Sequence, residues 1–144
     1  MEDIAQILRD IQRRNRVYRE KQLEQLGLTT RHGLYLKEIS ETPGISQEQL
    51  AQRLYVNKSN VARQAAAMEE EGYIERRPCG KDKRVLRLYL TEKALSVLPR
   101  VNEITAAWED LLVQDLTESE QQILEILLLR LHSNALAAVK EGDA

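Results

Sequence analysis

Residues 46–72 read SQEQLAQRLYVNKSNVARQAAAMEEEG, and this segment predicts two short helices with a three-residue connection between them. Ser46 stands where it can cap the first helix, over residues 46–54, because its hydroxyl can accept a hydrogen bond from an N–H of the first turn. Asn57 stands in the same position before the second helix, which is expected over residues 58–71. Together the two elements predict a helix-turn-helix.

The second of these helices has an apolar side and a slim polar side. Val61, Ala65 and Met68 recur at helical spacing and are expected to face the interior. The polar residues on and beside the opposite face are Ser59, Asn60, Arg63 and Gln64. A narrow face able to form hydrogen bonds suits the major groove of DNA. Because the motif also occurs in proteins that bind no DNA, a solvated helix of a small bundle stays open as an alternative.

The residues after this motif change from a helical period to a period of two. Leu86, Leu88 and Leu90 alternate with Arg87 and Tyr89, which predicts a strand with one buried face. Its predicted partner strand covers residues 73–77, and residues 78–83 form the hairpin tip. A hairpin directly after a helix-turn-helix indicates a winged helix.

Basic residues gather at the tip and base of this hairpin. They are Arg76, Arg77, Lys81, Lys83 and Arg84, around the single acid Asp82. Cationic side chains on a projecting hairpin suit DNA phosphates or a narrow minor groove. The alternative is charge that only keeps an exposed hairpin soluble.

Charge along the chain is uneven. Residues 46–90 hold nine Lys or Arg and six Asp or Glu, a net charge of +3, whereas residues 91–144 hold four and ten, a net charge of −6. One face of the folded chain can therefore approach phosphate while another stays away from it.

The remaining segments predict helices that serve assembly. These are residues 2–26, residues 29–40, residues 91–115 with Thr91 as cap and Pro99 as a kink, and a last helix after the Thr117–Glu120 capping box. The last helix has a wide apolar arc, which needs a large partner surface. We therefore expect a homodimer, with a bundle formed inside one chain as the alternative.

Composition excludes several classes of function. One cysteine in 144 residues excludes an internal disulfide framework and a cysteine-rich zinc site, and 4% aromatic residues argue against a stacking platform for single strands. No nucleophile, phosphate-loop or metal-binding motif occurs, so we expect neither an enzyme nor a cofactor or metal. The N-terminus lacks a secretory signal and no apolar run could cross a membrane, so a cytoplasmic location is expected.

From about Gly27 to Leu131 the sequence resembles the MarR family of bacterial winged-helix regulators. The resemblance is carried by PGISQEQLAQRL (43–54) in the first helix-turn-helix element, VNKSNVAR (56–63) at the start of the recognition helix, EEGYIERRPCGKDKR (70–84) in the wing, and LTE (90–92) where the dimerisation helix begins. The wing pattern, with Asp82 two residues before Arg84, is its most specific part.

The resemblance implies a mainly α fold with a small β-hairpin wing, that is, a winged helix-turn-helix plus a helical dimerisation region. Residues 1–28 would form an N-terminal dimerisation helix, residues 29–91 the DNA-binding domain and residues 92–144 the C-terminal dimerisation helices. The implied function is a sequence-specific transcriptional regulator, expected to be a repressor, acting on double-stranded DNA as a homodimer at a near-palindromic operator. The alternative is a winged helix that contacts proteins and has no operator.

The candidate DNA-binding residues are Ser46, Gln47, Asn57, Lys58, Ser59, Asn60, Arg63, Gln64, Arg77, Lys81, Lys83 and Arg84. Carried over by position from the family, Ser59, Asn60 and Arg63 would reach base edges or nearby phosphates. Arg84 would reach the minor groove. Asp82 is expected to hold Arg84 or a neighbour in place, because phosphate repels a carboxylate.

Two residues depart from the family pattern. Tyr55 stands where the family often has glycine, so either the turn has another shape or Tyr55 adopts a left-handed backbone at a cost of about 1–2 kcal/mol. Cys79 lies in the wing, away from the family's usual redox cysteine near the N-terminus, so peroxide sensing is not expected.

A small-molecule effector is also implied by the family, whose members often bind aromatic or phenolic anions between the dimerisation region and the winged helix. Sequence candidates for such a crevice are Arg13, Arg14, Arg16, Tyr18, His32 and Tyr35. The favoured interpretation is that the arginines face solvent or DNA, so no effector-binding residue is assigned.

Overall fold

The computed structural model describes residues 3–140, and in this range it has six α-helices and one antiparallel pair of strands. The helices are α1 (Ile4–Glu24), α2 (Thr30–Glu41), α3 (Gln47–Leu54), α4 (Lys58–Glu70), α5 (Glu92–Leu112) and α6 (Glu118–Ala138), and the strands are β1 (Ile74–Pro78) and β2 (Leu86–Leu90). The expected mainly α fold with a hairpin wing is confirmed. Residues 1–2 and 141–144, the outer ends of the predicted dimerisation segments, lie outside the described residues.

The predicted wing needs a small correction at each end of its first strand. Tyr73 precedes β1 and Pro78, assigned to the tip, is its last residue, opposite Leu86. Proline lacks only the N–H donor and is tolerated at the edge of a sheet. The predicted helix over residues 91–115 is likewise shorter, because α5 ends at Leu112.

Side-chain caps define both helices of the helix-turn-helix. Ser46 Oγ accepts a hydrogen bond from the Gln49 N–H, and Gln49 Oε1 accepts one from the Ser46 N–H, both at 3.1 Å. Asn57 Oδ1 accepts from the Asn60 N–H at 2.8 Å. Both predicted caps are confirmed, and each satisfies N–H groups that the first helical turn would otherwise leave without partners.

Tyr55 forms the turn between α3 and α4 in the left-handed conformation, with φ 56° and ψ 41°. Its N–H bonds to the carbonyl oxygens of Ala51 and Gln52, which ends α3. The second of the two sequence possibilities is therefore correct. The turn keeps the shape that glycine would adopt and accepts the cost of a Cβ in that conformation.

The apolar core joins α2, α3 and α4 to the wing. Val61, Ala65 and Met68, the predicted inward positions of α4, are at most 2% exposed, and Leu88 of β2 is fully buried beside them in the same core cluster. Full burial of a leucine or valine side chain contributes roughly 1.5–3 kcal/mol. This packing holds α4 at a set angle to the wing.

One charged side chain within residues 3–140 is also buried. Arg19 of α1 is 7% exposed, and its Nη1 donates to Thr105 Oγ1 of α5 at 2.6 Å. Burial lowers the pKa of Arg19, because it penalises the charged form. Nearby, the Tyr18 and Trp108 rings lie 5.1 Å apart. The C-terminal half of α1 is thereby attached to α5.

The chain divides after Trp108 into two compact units. In the second unit, α6 begins with the predicted capping box, in which the Thr117 and Glu120 side chains and N–H groups bond reciprocally at 2.9 and 3.1 Å. None of the residues of α6 is buried. Its exposed large apolar side chains are Ile123, Leu124, Ile126, Leu127, Leu128, Leu129, Leu131 and Leu136. The predicted boundaries between the dimerisation segments and the DNA-binding domain, at residues 28 and 91, stay a prediction.

Candidate nucleic-acid interface

A cleft of about 300 Å³ lies where the N-termini of α3 and α4 meet the base of the wing. Its lining includes five of the predicted contact residues, namely Ser46, Gln47, Lys58, Ser59 and Arg84. The capped first turns of α3 and α4 lie at the same surface, and the hairpin brings Arg84 to it. Residues up to 38 positions apart in the sequence thus share one concave face.

The polar groups of this cleft differ in burial and in their partners. Gln47 Oε1 is buried and has no hydrogen-bond partner among the described residues. Lys58 Nζ lies 2.9 Å from Glu48 Oε1, with both side chains largely exposed. An exposed pair of this kind is worth little, so Lys58 can leave Glu48 for a phosphate at small cost.

The start of α4 presents a defined hydrogen-bonding pattern. Ser59 Oγ donates to Asn57 Oδ1 at 2.8 Å, and the same oxygen caps the helix by accepting from the Asn60 N–H. The Ser59 hydroxyl therefore keeps its lone pairs for accepting, and Asn57 keeps its amide NH₂ for donating. Arg63 is exposed on the same helix, and Asn60 is half-buried.

The wing projects Arg84 far into solvent. Its side chain is 91% exposed, and its Nε lies 3.2 Å from Asp82 Oδ1. The Arg84 backbone N–H donates to the same oxygen at 3.0 Å. These two hydrogen bonds lower the pKa of Asp82, the side-chain bond most strongly. The contact expected between Asp82 and Arg84 is therefore present.

The other predicted cations of the wing differ in their surroundings. Lys81 and Lys83 are exposed, and within residues 3–140 neither makes an ion pair. Arg77, in contrast, donates twice to Glu75, at 2.9 and 3.1 Å, and its guanidinium lies 4.3 Å from the centre of the Tyr89 ring. This pairing lowers the pKa of Glu75. Lys81 and Lys83 are thus freer than Arg77 to meet a phosphate.

Arg76, which the sequence grouped with the wing cations, has a structural contact. Its N–H and its Nε donate to the two carboxylate oxygens of Glu69, at 2.8 and 3.1 Å. The pair joins β1 to the last turn of α4. It therefore fixes the wing to the helix rather than facing outward.

Arg31 contacts Gln64, one of the predicted DNA-binding residues, and was not predicted as a site residue from the sequence. Its Nη1 donates to Gln64 Oε1 at 2.8 Å, from the first turn of α2 to α4. The sequence indicated a contact of Arg31 only weakly. A cation in the first turn of a helix faces the positive end of the helix dipole, so it needs a compensating partner elsewhere.

The residues considered for an effector crevice have separate surroundings. Arg13 and Arg16 line an open groove of about 440 Å³ along α1 with Leu8, Arg9 and Gln12. His32 instead caps α2 through Thr29 and lies 2.8 Å from Glu71. Tyr35 is 3% exposed, and burial raises its pKa.

No helix within residues 3–140 is long and apolar enough to cross a membrane. The described part of the chain also contains no group of three or more His, Cys, Asp or Glu side chains placed to hold a metal ion.

Comparisons with known proteins point to one family. The family model described as MarR family matches residues 26–85. The HTH-type transcriptional regulator YybA of Bacillus subtilis (strain 168) is 31% identical over 113 residues, which cover 78% of this chain and 75% of the relative. The crystal structure of a MarR transcriptional regulator from Methanosarcina mazei Go1 is 26% identical, with a TM-score of 0.87 over 94% of this chain and 98% of that one.

A second similar structure contains DNA. It is a MarR family transcriptional regulator from Listeria monocytogenes complexed with 26mer DNA, 24% identical to this chain, with a TM-score of 0.87. The match covers 100% of this chain and 98% of that chain. At this identity the likeness concerns the fold.

Proposed function

The chain belongs to the MarR family of transcriptional regulators, and from this membership we propose that it is a repressor that binds a near-palindromic operator as a homodimer. In this proposal α4 enters the major groove and the wing reaches the adjacent minor groove. Residues 29–91 bind DNA, and residues 1–28 and 92–144 form the dimer. A regulator of this kind works where the chromosome is, in the cytoplasm.

The observation that carries the proposal is the shared cleft at the N-termini of α3 and α4. It collects donors from both helices and from Arg84 on one surface. Donors spread over two helices and a hairpin can bond to phosphates on both sides of a groove while α4 lies inside it. The Listeria protein, which has the same fold, was solved in complex with 26mer DNA, and this supports the proposal that the chain binds DNA.

Exposed apolar side chains support the dimer. Ile4, Ile7, Leu8 and Ile11 of α1 are each at least 40% exposed, and the apolar arc of α6 is exposed along its length. Water-exposed apolar surface on this scale is unfavourable, and a second copy can cover it. Two-fold symmetry would then place two α4 helices about one turn of DNA, roughly 34 Å, apart.

Repression and release complete the proposal. A dimer that occupies promoter DNA excludes other proteins from it, so repression needs no further contact. An anionic or aromatic effector would release the operator if it binds better to a dimer whose two α4 helices have the wrong spacing. The exposed guanidinium groups of Arg13 and Arg16 are candidates for meeting its charge.

Selection of bound DNA from a random pool tests the proposal. The purified protein should enrich a near-palindrome with half-sites about ten base pairs apart. Its affinity should fall steeply with salt, by about 0.9 in log K per phosphate contact for each unit of log salt concentration. Sedimentation in parallel should detect a dimer. No enrichment, with affinity equal for all duplexes, would instead favour the protein-contact module.

A further inference from the structure

Tyr55 combines an unfavourable backbone with an unused side chain. It is the one non-glycine residue with positive φ among the described residues, and it is 76% exposed. A left-handed backbone costs free energy that glycine avoids. The fold uses the Tyr55 N–H to end α3, but glycine would supply the same N–H.

The phenol ring adds nothing visible to the stability of the chain. It makes no ring contact, and its hydroxyl makes no hydrogen bond within the described residues. A side chain that adds the cost of a Cβ to this turn and makes no ring contact or side-chain hydrogen bond within the described residues points to a role outside the fold. Tyrosine is well suited to an interface because its apolar ring carries a polar hydroxyl.

The position of Tyr55 indicates which interface. It lies in the turn that leads into α4, two residues before Asn57, which caps α4 and is one of the candidate DNA-binding residues. Two cations close to Tyr55 in the sequence have partners within the chain. Arg53 donates to Thr42 at 2.8 Å, and Lys58 lies 2.9 Å from Glu48. The Tyr55 hydroxyl is a donor that can bond to an anion without breaking an existing ion pair.

We propose that Tyr55 is a DNA-contacting residue whose hydroxyl donates a hydrogen bond to a phosphate oxygen beside the groove entered by α4. This inference rests on the proposed DNA-binding function. Phosphates are alike in every sequence, so the contact strengthens binding to operator and to random duplex by similar factors. It positions α4 and does not read bases.

The test compares the wild type with Tyr55→Gly and Tyr55→Phe. Each protein is unfolded in urea and titrated with the selected operator and with a random duplex. Tyr55→Gly should resist urea at least as well as the wild type, because it removes the left-handed strain. Tyr55→Phe should match the wild type in urea. Both variants should bind both duplexes about tenfold more weakly, as expected for one lost hydrogen bond to a charged group.

Five results would overturn the inference. If both variants bind DNA as tightly as the wild type but repression in transcription assays is altered, Tyr55 contacts a protein partner. If neither DNA affinity nor repression changes, Tyr55 has no partner. Lower resistance to urea in Tyr55→Gly would mean that the ring serves the fold. If Tyr55→Phe binds DNA as tightly as the wild type, the hydroxyl does not contact DNA. If the variants lose affinity only for the operator, Tyr55 contacts bases and not a phosphate. If the wild type binds no duplex, the proposed DNA-binding function is wrong. The titration of the wild type alone shows this, so it is distinguished from a failure of the Tyr55 inference.

Discussion

Arg31 Nη1 donates a hydrogen bond to Gln64 Oε1 at 2.8 Å and joins the start of α2 to α4 across 33 residues of sequence. A guanidinium group has donors only, so the oxygen of the Gln64 amide must face Arg31. The Gln64 NH₂ is left to donate, beside the remaining donors of Arg31. A glutamine that reads adenine uses both its donor and its acceptor, and here Arg31 already occupies one lone pair of that acceptor and fixes its direction.

The first prediction concerns base preference. Wherever Gln64 meets a base, the wild type should favour the acceptors of guanine or thymine, and Arg31→Ala should increase the preference for adenine because it releases the Gln64 oxygen from the Arg31 guanidinium. Selection from a random pool with both proteins measures this. In a Gln64→Ala background, Arg31→Ala should leave the base preference at that position unchanged. Identical consensus sequences for the wild type and Arg31→Ala would contradict the prediction.

The second prediction concerns the wing. Arg84→Ala should weaken operator binding by about tenfold and reduce the salt slope by about one phosphate contact, since the side chain is 91% exposed and, within residues 3–140, bonds only to Asp82. Its urea unfolding should be unchanged. Arg100→Ala is the matched control, because Arg100 is an exposed arginine paired with Glu103 at 2.8 Å on α5. Equal DNA affinity of the two variants would exclude Arg84 from the interface.

The third prediction concerns reading of sequence by α4. Arg63 is exposed on α4, so Arg63→Ala should lower affinity for the operator roughly tenfold or more and leave random duplex little affected. The ratio of the two dissociation constants is the measurement. A parallel loss on both duplexes would assign Arg63 to a phosphate instead.

The fourth prediction separates the cost of a left-handed backbone from the cost of a steric contact at two glycine positions. Gly44 has φ +85°, and a Cβ there would lie 3.0 Å from Tyr89 Oη, whereas Gly27 has φ +72° with open space around it. Gly44→Ala should therefore lower the free energy of unfolding by more than the roughly 1–2 kcal/mol expected for Gly27→Ala. Urea titration of both variants gives the comparison.

Gly80→Ala is the control for this series, since φ of Gly80 is not positive and a Cβ there has nothing within 4 Å. Its free energy of unfolding should change by less than about 0.5 kcal/mol. If Gly44→Ala is no less stable than Gly27→Ala, the contact with Tyr89 carries no cost.

The fifth prediction is a pH dependence at Cys79. Hydrogen bonds from the N–H groups of Lys81 and Asp82, and then from Arg87, lower the pKa of the thiol. The folded state thus favours the thiolate, and the resulting stability grows as the pH rises through the folded pKa and is complete above the unfolded one. Alkylation by iodoacetamide should therefore have its midpoint at lower pH in the native protein than in urea. Coincident midpoints would refute this.

Much of the fold was predictable from neighbouring residues. The caps at Ser46 and Asn57, the inward set Val61, Ala65 and Met68, and the alternation in β2 all depend on contacts within four residues or on one repeating period. These interactions follow from backbone geometry, which the order of residues sets directly.

Charged side chains were less predictable. Arg76, Arg77 and Arg84 look alike in the sequence, yet Arg76 binds Glu69, Arg77 binds Glu75 and lies over Tyr89, and Arg84 projects into solvent. A long flexible side chain can meet any carboxylate or ring within its reach. Its partner is therefore settled by the packing of the elements and not by its own position in the chain.

The local order of residues was enough to establish a winged helix-turn-helix with its capped helices, because turns, caps and periodic apolar faces act over a few residues. Only the folded chain decided that Arg31 meets Gln64 and that Arg19 is buried against Thr105, 86 residues away. Such contacts depend on how whole elements pack, and the side chains involved carry no local mark of their partners.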